Sequence, residues 1–177
     1  MRDMKIPPER IDHLSDYLNS EFFKIKIAPQ FKQNFIAFNP KKGFAELKPI
    51  IDATPHFRWI PIMNMKPSDV ANLLRLSKVY IDFGNHPGKD RIPREAAISG
   101  CCIITNKKGS AAFYEDVPIP ENYKFENSSE NPDEIVRLIQ DIFNDYQGHY
   151  QNFTNYCDRI ISEENRFLED VKRLFPV

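Results

Sequence analysis

The chain has 177 residues, of which 41% are hydrophobic and 28% are charged, and its formal net charge is -1. A chain of this size can bury one core, and its balanced charge excludes the broad basic surface that nucleic acid requires. The first ten residues lack the apolar stretch of a signal peptide, and no window is apolar enough to span a membrane. We expect one domain of residues 1–177, in the cytoplasm or peripheral at the inner face of the membrane.

The three cysteines, Cys101, Cys102 and Cys157, are an odd number and include no Cys-x-x-Cys spacing. This pattern favours neither a disulfide framework nor a zinc site. Cys101 and Cys102 begin an apolar run, where cysteine behaves as a small hydrophobic residue. The sequence therefore predicts structural cysteines in a reducing compartment.

The chain begins with a predicted helix at about residues 9–23, where apolar residues recur at helical spacing. Pro7 and Pro8 precede this segment and suit the first turn of a helix. We describe residues 1–30 as a helical appendage of the domain.

Residues 34–105 alternate apolar runs with amphipathic segments. The runs read NFIAF, FRWIPI, VYIDF and CCIIT, and they have the length and composition of buried strands. Strands that are apolar throughout and alternate with helices form a parallel sheet that is covered on both faces. The sequence predicts an α/β fold, a Rossmann-like doubly wound parallel sheet of about four or five strands flanked by helices.

Two more helices are predicted after the sheet. The first covers NPDEIVRLIQDIFNDY, and the second is one long helix at about residues 149–174. We expect this last helix to pack with the helix at about residues 9–23.

Lysines follow all four predicted strands. The segments after the strands read NPKKG, MNMKPS, GNHPGKDRIPRE and NKKGS. Ligands of a doubly wound sheet bind outside the carboxyl ends of its strands, so the fold brings these segments to one edge. The sequence therefore predicts a site for a small anion at this edge.

Lys41, Lys42 and Gly43 form the first of these segments. Gly43 allows a ligand to approach the backbone, and a lysine beside a helix N-terminus favours a phosphate group. Paired lysines next to a glycine are also common on solvated surfaces, and that interpretation stays open at this point.

The loop before the fourth strand gives a more specific pattern. Gly88 permits a tight turn, and Lys89, Arg91 and Arg94 make the loop basic. Arginine can hold a phosphate with two parallel hydrogen bonds, and lysine can act as a point charge. We interpret this loop as a phosphate-binding element.

Three side chains of this region could have other roles. The two oxygens of Glu95 could accept hydrogen bonds from a vicinal diol such as ribose, or Glu95 could complement a helix dipole or pair with an arginine. His86 could donate a proton or bind a sugar, although a single loop histidine often does neither. Asp82 lies inside an apolar strand, so we expect a loop cation or a backbone N–H to pair with it.

Several known motifs are absent. The sequence contains no GxGxxG loop, no GxxxxGK[ST] loop and no GxSxG turn. No Asp-x-Asp pair stands beside a strand end, so we expect loop cations to neutralise the ligand without a metal or a cofactor.

The chain resembles the carboxy-terminal, donor-binding half of GT-B-fold glycosyltransferases in four segments. These segments are NFIAFNPKKG, LLRLSKVYIDFG, HPGKDRIPREAAISGCCIIT and DVPIPENYKF. The similarity is to bacterial enzymes of the large retaining family that use nucleotide sugars to make capsule or other surface glycans. It covers about residues 33–174, and the block GKDRIPREAAISG is its most specific part.

The resemblance implies roles for individual residues. Lys42 with Gly43 would contact the donor diphosphate, and Glu95 would bind the nucleotide ribose. The helix that contains Glu95 would offer its N-terminal amides, at residues 94–97, to the phosphates.

The sequence departs from the family pattern at two positions. Pro87 stands where the family often has a glutamate that meets the donor sugar. An arginine that commonly precedes the Lys-Gly pair is also absent, and Lys41 or Arg91 would replace it. The family's acceptor-binding amino-terminal domain is not in this chain, so an acceptor glycan or lipid would be bound through a missing domain or a partner.

We therefore expect the donor half of a glycosyltransferase that binds a nucleotide-diphosphate sugar in surface polysaccharide or glycoconjugate biosynthesis. Its catalytic residues are not identified, and it would be incomplete as an enzyme without an acceptor-binding domain. The alternative is a non-catalytic Rossmann-like interaction or regulatory module that has lost donor binding, which Pro87 favours. The residues predicted to bind the nucleotide sugar are Lys41, Lys42, Gly43, His86, Gly88, Lys89, Arg91, Arg94 and Glu95.

Overall fold

The structure is a computed structural model that describes residue 12 and residues 14–24, 27–128 and 131–175. Its centre is a sheet of five parallel strands in the order β2-β1-β3-β4-β5. The strands are β1 Gln33–Phe38, β2 Arg58–Pro61, β3 Ser77–Asp82, β4 Cys102–Asn106 and β5 Lys124–Phe125. The helices are α1 Phe44–Ala53, α2 Pro67–Leu76, α3 Arg91–Ile98, α4 Pro132–Asn144, α5 Tyr146–Gln151, α6 Thr154–Ile161 and α7 Glu163–Leu174.

The apolar runs of the sequence form the central strands, and the predicted fold class is confirmed. All five residues of β4 are buried, and β3 is buried except for partly exposed Lys78. A strand that is apolar along its whole length needs cover on both faces of the sheet, which helices provide. The fifth strand, β5, has two residues, too few for an apolar run to reveal it in the sequence.

The strand order creates a crevice at the carboxyl ends of β1 and β3. From β1 the chain first moves to β2 on one side, and it then crosses β1 to form β3 on the other side. Because such crossovers are right-handed, α1 covers one face of the sheet and α2 and α3 cover the other. The chain therefore leaves β1 and β3 toward opposite faces of the sheet, and ligands of doubly wound sheets bind at this point.

The helix predicted at about residues 9–23 is wrong where the structure describes it. Residues 14–19 have no regular secondary structure, and a single 3-10 turn covers Ser20–Phe23. Leu18 and Phe22 are buried, so their apolar spacing reflects packing of an irregular segment against the core. The rest of the predicted helix lies outside the described residues.

The single long helix predicted at about residues 149–174 is also wrong. Three helices, α5, α6 and α7, cover this part of the chain. The first break places the Phe153 ring 4.9 Å from the Tyr123 ring, and the Asn152 amide donates to the Tyr123 hydroxyl. The second break, at Ser162, places Glu163 in the protein interior. Tertiary contacts thus override a sequence that is helical along its length.

A buried cluster of charges joins α3, α7 and the N-terminal segment. The Arg94 guanidinium donates to Glu163 at 2.8 Å and to Asp16 at 2.6 Å, and Lys89 lies 2.5 Å from Glu163. Arg94 and Glu163 are almost fully buried, whereas Asp16 is exposed. Although burial works against its charge, Asp16 and Glu163 raise the pKa of Arg94. These contacts hold the start of α7 against α3.

The three cysteines are buried and unpaired, as predicted for structural residues. Burial raises the pKa of Cys101 to about 11, so this thiol stays protonated at neutral pH. In the part of the chain that the structure describes, no helix has the length and hydropathy to cross a bilayer.

We predict that Glu163→Ala destabilises the protein by about 3–5 kcal/mol, because it leaves the buried Arg94 without one of its two carboxylate partners. The measurement is the free energy of unfolding from urea denaturation. Glu164→Ala is the matched control, because Glu164 is exposed in the same first turn of α7 and its loss should cost less than about 1 kcal/mol. Equal effects of the two substitutions would contradict the prediction.

Candidate functional site

A cavity of about 160 Å³ lies in the crevice at the carboxyl ends of β1 and β3. Its volume suits a phosphate group and a few waters rather than a whole nucleotide, so most of a larger ligand would lie outside it. Two cations and two carboxylates face each other across this space. The residues that line the cavity are Asn39, Lys42, Asp82, Asp90, Arg91, Ile92 and Pro93.

Two glycines bring the loops after β1 and β3 into direct contact. Gly43 has a φ of +64°, and a Cβ at this position would lie 2.5 Å from the backbone nitrogen of Gly84. A Cβ at Gly84 would lie 2.6 Å from the Cβ of Lys42 and 2.9 Å from a carboxylate oxygen of Asp82. Glycine is therefore required at both positions for Lys42 to lie over the end of β3.

Helices α1 and α3 both begin at this edge of the sheet. Gly43 is the N-cap of α1, and Asp90 is the N-cap of α3 without a side-chain capping hydrogen bond. The first amides of a helix have no partner within the helix and carry a partial positive charge. At α3 these amides belong to Arg91 and Ile92, both of which line the cavity.

The start of α3 corrects one sequence-based expectation. Residues 94–97 were expected to offer N-terminal amides, and Glu95 was expected in the first turn. The helix begins at Arg91, so Glu95 lies in its second turn and residues 94–97 are buried within it. The sequence interpretation placed the helix start too late because Pro93 suits a first turn at several positions.

Lys42 is the first member of a chain of polar contacts that leads into the protein. Its ammonium lies 2.7 Å from Asp90 Oδ2, and the same oxygen lies 2.7 Å from His86 Nδ1. On the other side of the ring, His86 Nε2 lies 3.8 Å from Asp82 Oδ1. Lys42 remains 35% exposed, whereas the His86 side chain is 1% exposed. Solvent and ligands therefore reach this series of polar contacts through Lys42 and Asp90.

Asp82 has the backbone N–H partner that was predicted for a carboxylate inside an apolar strand, and a tyrosine hydroxyl that was not predicted. Its two oxygens accept hydrogen bonds from the Gly84 N–H at 2.8 Å and from the Tyr80 hydroxyl at 2.8 Å. Burial, together with the nearby Asp82, raises the pKa of Tyr80 well above its ordinary value. Tyr80 therefore stays a hydrogen-bond donor at any physiological pH.

A turn after β4 fixes the position of the His86 loop. Gly109 has a φ of +58°, and a Cβ there would collide with the His86 carbonyl oxygen. The same carbonyl accepts from the Ser110 N–H at 2.8 Å, and the Ser110 hydroxyl donates to the Gly88 carbonyl at 2.6 Å. The NKKGS segment thus supports the β3–α3 loop from behind.

Arg91, which lines the cavity, pairs with the buried Glu95 one turn further along α3. Arg91 Nε lies 3.2 Å from Glu95 Oε1, with the arginine side chain 73% exposed and the glutamate side chain 5% exposed. Burial raises the pKa of Glu95, although Arg91 and Arg94 act in the opposite direction. Arg91 can turn toward a ligand, whereas Glu95 is held in place.

The predicted binding residues divide into two groups. Lys42, Gly43, Arg91 and Glu95 lie in or beside the crevice, and Lys41 is exposed next to it. The residues of the other group were predicted from the loop of residues 85–95, but they do not line the crevice. Lys89 and Arg94 bind the buried Glu163, His86 is enclosed behind Asp90, and Gly88 is exposed with space around it.

Sequence reasoning missed Asp90 and Asn39. Asp90 contacts both Lys42 and His86 and is the residue through which the crevice reaches the protein interior. Its position four residues after His86 and immediately before a helix was a usable signal, because an aspartate there is a common N-cap. Asn39 follows β1, and its side chain accepts from the Lys41 N–H at 3.0 Å.

Asp82, His86 and Asp90 offer nitrogen and oxygen atoms that lie within 4.8 Å of one another. Such a group could hold a metal ion, but the Lys42 ammonium already lies against Asp90. Both ring nitrogens of His86 also face oxygen atoms of neighbouring residues. This arrangement fits shared protons, and a divalent cation would have to displace Lys42 from Asp90.

No protein-family model and no curated protein matches the chain. The functional assignment therefore depends on the geometry and charge of the crevice.

We predict that Gly43→Ala destabilises the protein by roughly 1–3 kcal/mol, because the left-handed backbone and the contact with Phe83 and Gly84 leave no space for a methyl group. The measurement is the free energy of unfolding. Gly88→Ala is the matched control, since among the described residues its Cβ would meet no atom within 4 Å. It should change stability by less than about 1 kcal/mol. A larger loss for Gly88→Ala than for Gly43→Ala would refute this account of the loop contact.

Proposed function

We propose that the chain binds a nucleotide-diphosphate sugar at this crevice and acts as the donor half of a glycosyltransferase. The observation that carries the proposal is the position of Lys42. Its partly exposed side chain lies at the junction of β1 and β3, and its ammonium contacts Asp90 at the N-terminus of α3 in the cavity that Arg91 also lines. A lysine, an arginine and unpaired helix amides that converge on one cavity form a site for phosphate groups.

The diphosphate would contact Lys42, Arg91 and the first amides of α3. When the glycosidic bond to the donor breaks, negative charge develops on the leaving diphosphate, and fixed cations and amides stabilise it. Both cations have carboxylate partners in the structure, Asp90 for Lys42 and Glu95 for Arg91. The ligand must compete with these carboxylates, so we expect weak binding.

Glu95 supports the nucleotide part of the proposal. It is a buried carboxylate that pairs with Arg91, a residue that lines the cavity. If Arg91 turns toward the phosphates, the carboxylate oxygens become acceptors for two adjacent hydroxyl groups. A ribose next to the diphosphate has this pair of hydroxyls.

The proposed role covers one side of the reaction. The crevice holds a donor, and an acceptor glycan or lipid would be bound by another domain or a partner protein. The expected setting is the assembly of a surface polysaccharide or glycoconjugate. Both statements follow from the resemblance described above and are part of the proposal.

A second candidate function is a non-catalytic interaction or regulatory module. The observation in its favour is the balanced charge at the crevice, where Asp90 pairs with Lys42 and Glu95 pairs with Arg91. Pro87 also stands at the position where a sugar-binding glutamate would be expected. A module of this kind would fold normally and bind none of the nucleotides.

We predict that one nucleoside diphosphate or its sugar binds with a dissociation constant on the order of 100 µM, as expected for a few phosphate contacts in an open cleft. Lys42→Ala should weaken that binding about fivefold to thirtyfold, because a charge-assisted hydrogen bond is worth about 1–2 kcal/mol. The measurement is calorimetric titration with UDP, GDP and ADP and their sugars. Lys48→Ala is the matched control, because Lys48 pairs with Asp52 on the exposed side of α1. If no nucleotide binds the folded protein at millimolar concentration, the protein is the non-catalytic interaction or regulatory module instead.

Glu95→Ala should reduce the preference for a ribonucleotide over its 2′-deoxy form, because the carboxylate accepts from both ribose hydroxyls in the proposed complex. We expect the ratio of the two dissociation constants to fall from about tenfold in the wild type to near one, a difference of about one hydrogen bond. The measurement uses the nucleotide that binds best. A wild-type protein that already binds both forms equally would remove Glu95 from the ribose site and leave the diphosphate site in place.

A further inference from the structure

We propose that diphosphate binding at the crevice is coupled to the uptake of a proton by the Asp82–His86–Asp90 cluster. This inference rests on the proposed function and adds a regulatory property to the same site. It starts from the observation that Asp90 uses one oxygen to contact both Lys42 and His86.

The first step is the competition for Lys42. In the structure, the Lys42 ammonium lies 2.7 Å from Asp90 Oδ2 and compensates the charge of that carboxylate. A bound phosphate attracts the same ammonium, so the contact with Asp90 weakens. The Asp90 carboxylate then keeps its contact with His86 Nδ1, also at 2.7 Å, while Arg94 Nε donates to the Asp90 backbone carbonyl.

The second step is the charge that remains around His86. With Lys42 engaged by the ligand, the histidine ring lies between the carboxylates of Asp82 and Asp90. An additional anion in the cavity raises the negative potential at the ring. Negative charge within about 4–6 Å favours the protonated form of a histidine.

The surroundings of the ring accept a second proton without rearrangement. Nδ1 faces Asp90 Oδ2, which is an acceptor when ionised. Nε2 lies 3.3 Å from the Thr105 hydroxyl, and that hydroxyl donates to the Asp82 carbonyl oxygen at 3.1 Å. The Thr105 oxygen can therefore accept from an N–H at Nε2 while its own hydrogen points to the carbonyl. Both ring nitrogens can be donors at the same time.

Other titratable groups near the cluster are less suited to take up this proton. On β3, burial and Asp82 raise the pKa of Tyr80, so it is already protonated. On α6, Tyr156 interacts with Asp90 electrostatically, and burial raises the pKa of Tyr156 as well. On α3, Arg94 stays charged in its contacts with Asp16 and Glu163.

Lys108, in the turn after β4, and Glu95 complete the set of titratable groups around the His86 ring. Lys108 pairs with Glu46, away from the ring. Glu95 is the competing site for a proton, because burial already raises its pKa and a ligand would draw Arg91 away from it.

The test measures protons directly by isothermal titration calorimetry. The probes are UDP-glucose, GDP-mannose and ADP-glucose, whose doubly esterified diphosphates carry no proton that titrates near neutral pH. The best-binding probe is titrated at the same pH in HEPES and in Tris, which differ in their heat of ionisation. The change in observed enthalpy with buffer gives the number of protons taken up, and we expect between about 0.3 and 1 per ligand near pH 7.5. Measurable binding with no buffer dependence would overturn the inference and leave the proposed function intact.

Asp90→Asn is the decisive variant. Asparagine keeps the shape of the side chain and is also a good N-cap, so α3 should form normally. The variant frees Lys42 and removes the carboxylate that needs compensation. We expect the proton uptake to disappear and the ligand to bind about twofold to fivefold more tightly, the value of a partly exposed ion pair. Weaker binding or an unchanged proton uptake would contradict the inference.

Two further variants separate the alternatives. Asp52→Asn is the matched control, because it breaks another lysine–aspartate pair on the exposed face of α1. It should leave both the affinity and the proton uptake unchanged. Glu95→Gln should retain the proton uptake even if it weakens binding. Loss of uptake in Glu95→Gln with retention in Asp90→Asn would assign the proton to Glu95 and overturn the proposal. Failure of all three probes to bind would instead refute the proposed function itself.

Discussion

The crevice depends on the close contact between the backbone at Gly43 and the backbone at Phe83 and Gly84. This contact holds the loop after β1 against the end of β3, so Lys42 lies over Asp82 and next to Asp90. Without it, the lysine would be one of many solvated cations on the surface. The strand order supplies the place for a ligand, and two glycines decide which side chain reaches it.

A second constraint explains why fewer cations reach the crevice than the sequence offers. Arg94 and Lys89 hold the buried Glu163, and they thereby fix α7 and the N-terminal segment to α3. Replacing their charges with ligand contacts would leave Glu163 buried without compensation, which is costly. Arg91 does not contact Glu163, because it lies on the exposed side of the same helix. Arg94 is thus the structural arginine of α3, and Arg91, three positions earlier in the same helix, is the one that can meet a ligand.

The fold was predictable because its signals are local. The apolar runs of β1, β3 and β4 and the helices between them appear in short windows, and parallel pairing follows from their alternation. The sequence also placed Lys42 and Arg91 at the carboxyl edge of the sheet, where both line the crevice. The roles of Arg94 and His86 were not predictable, since Arg94 pairs with a residue 69 positions away and His86 is enclosed by a turn after β4. Such long-range contacts have no counterpart in local spacing.

The polar cluster behind Lys42 is a consequence of how the chain returns from β3 to α3. Asp82 ends the strand and Asp90 precedes the helix, and the loop between them folds back over the end of the strand. Two carboxylates therefore approach each other near a low-dielectric core, where like charges repel strongly. Lys42 outside them offsets that repulsion, and the His86 ring lies between them. The link that we propose between anion binding and proton uptake follows from the geometry of this one loop.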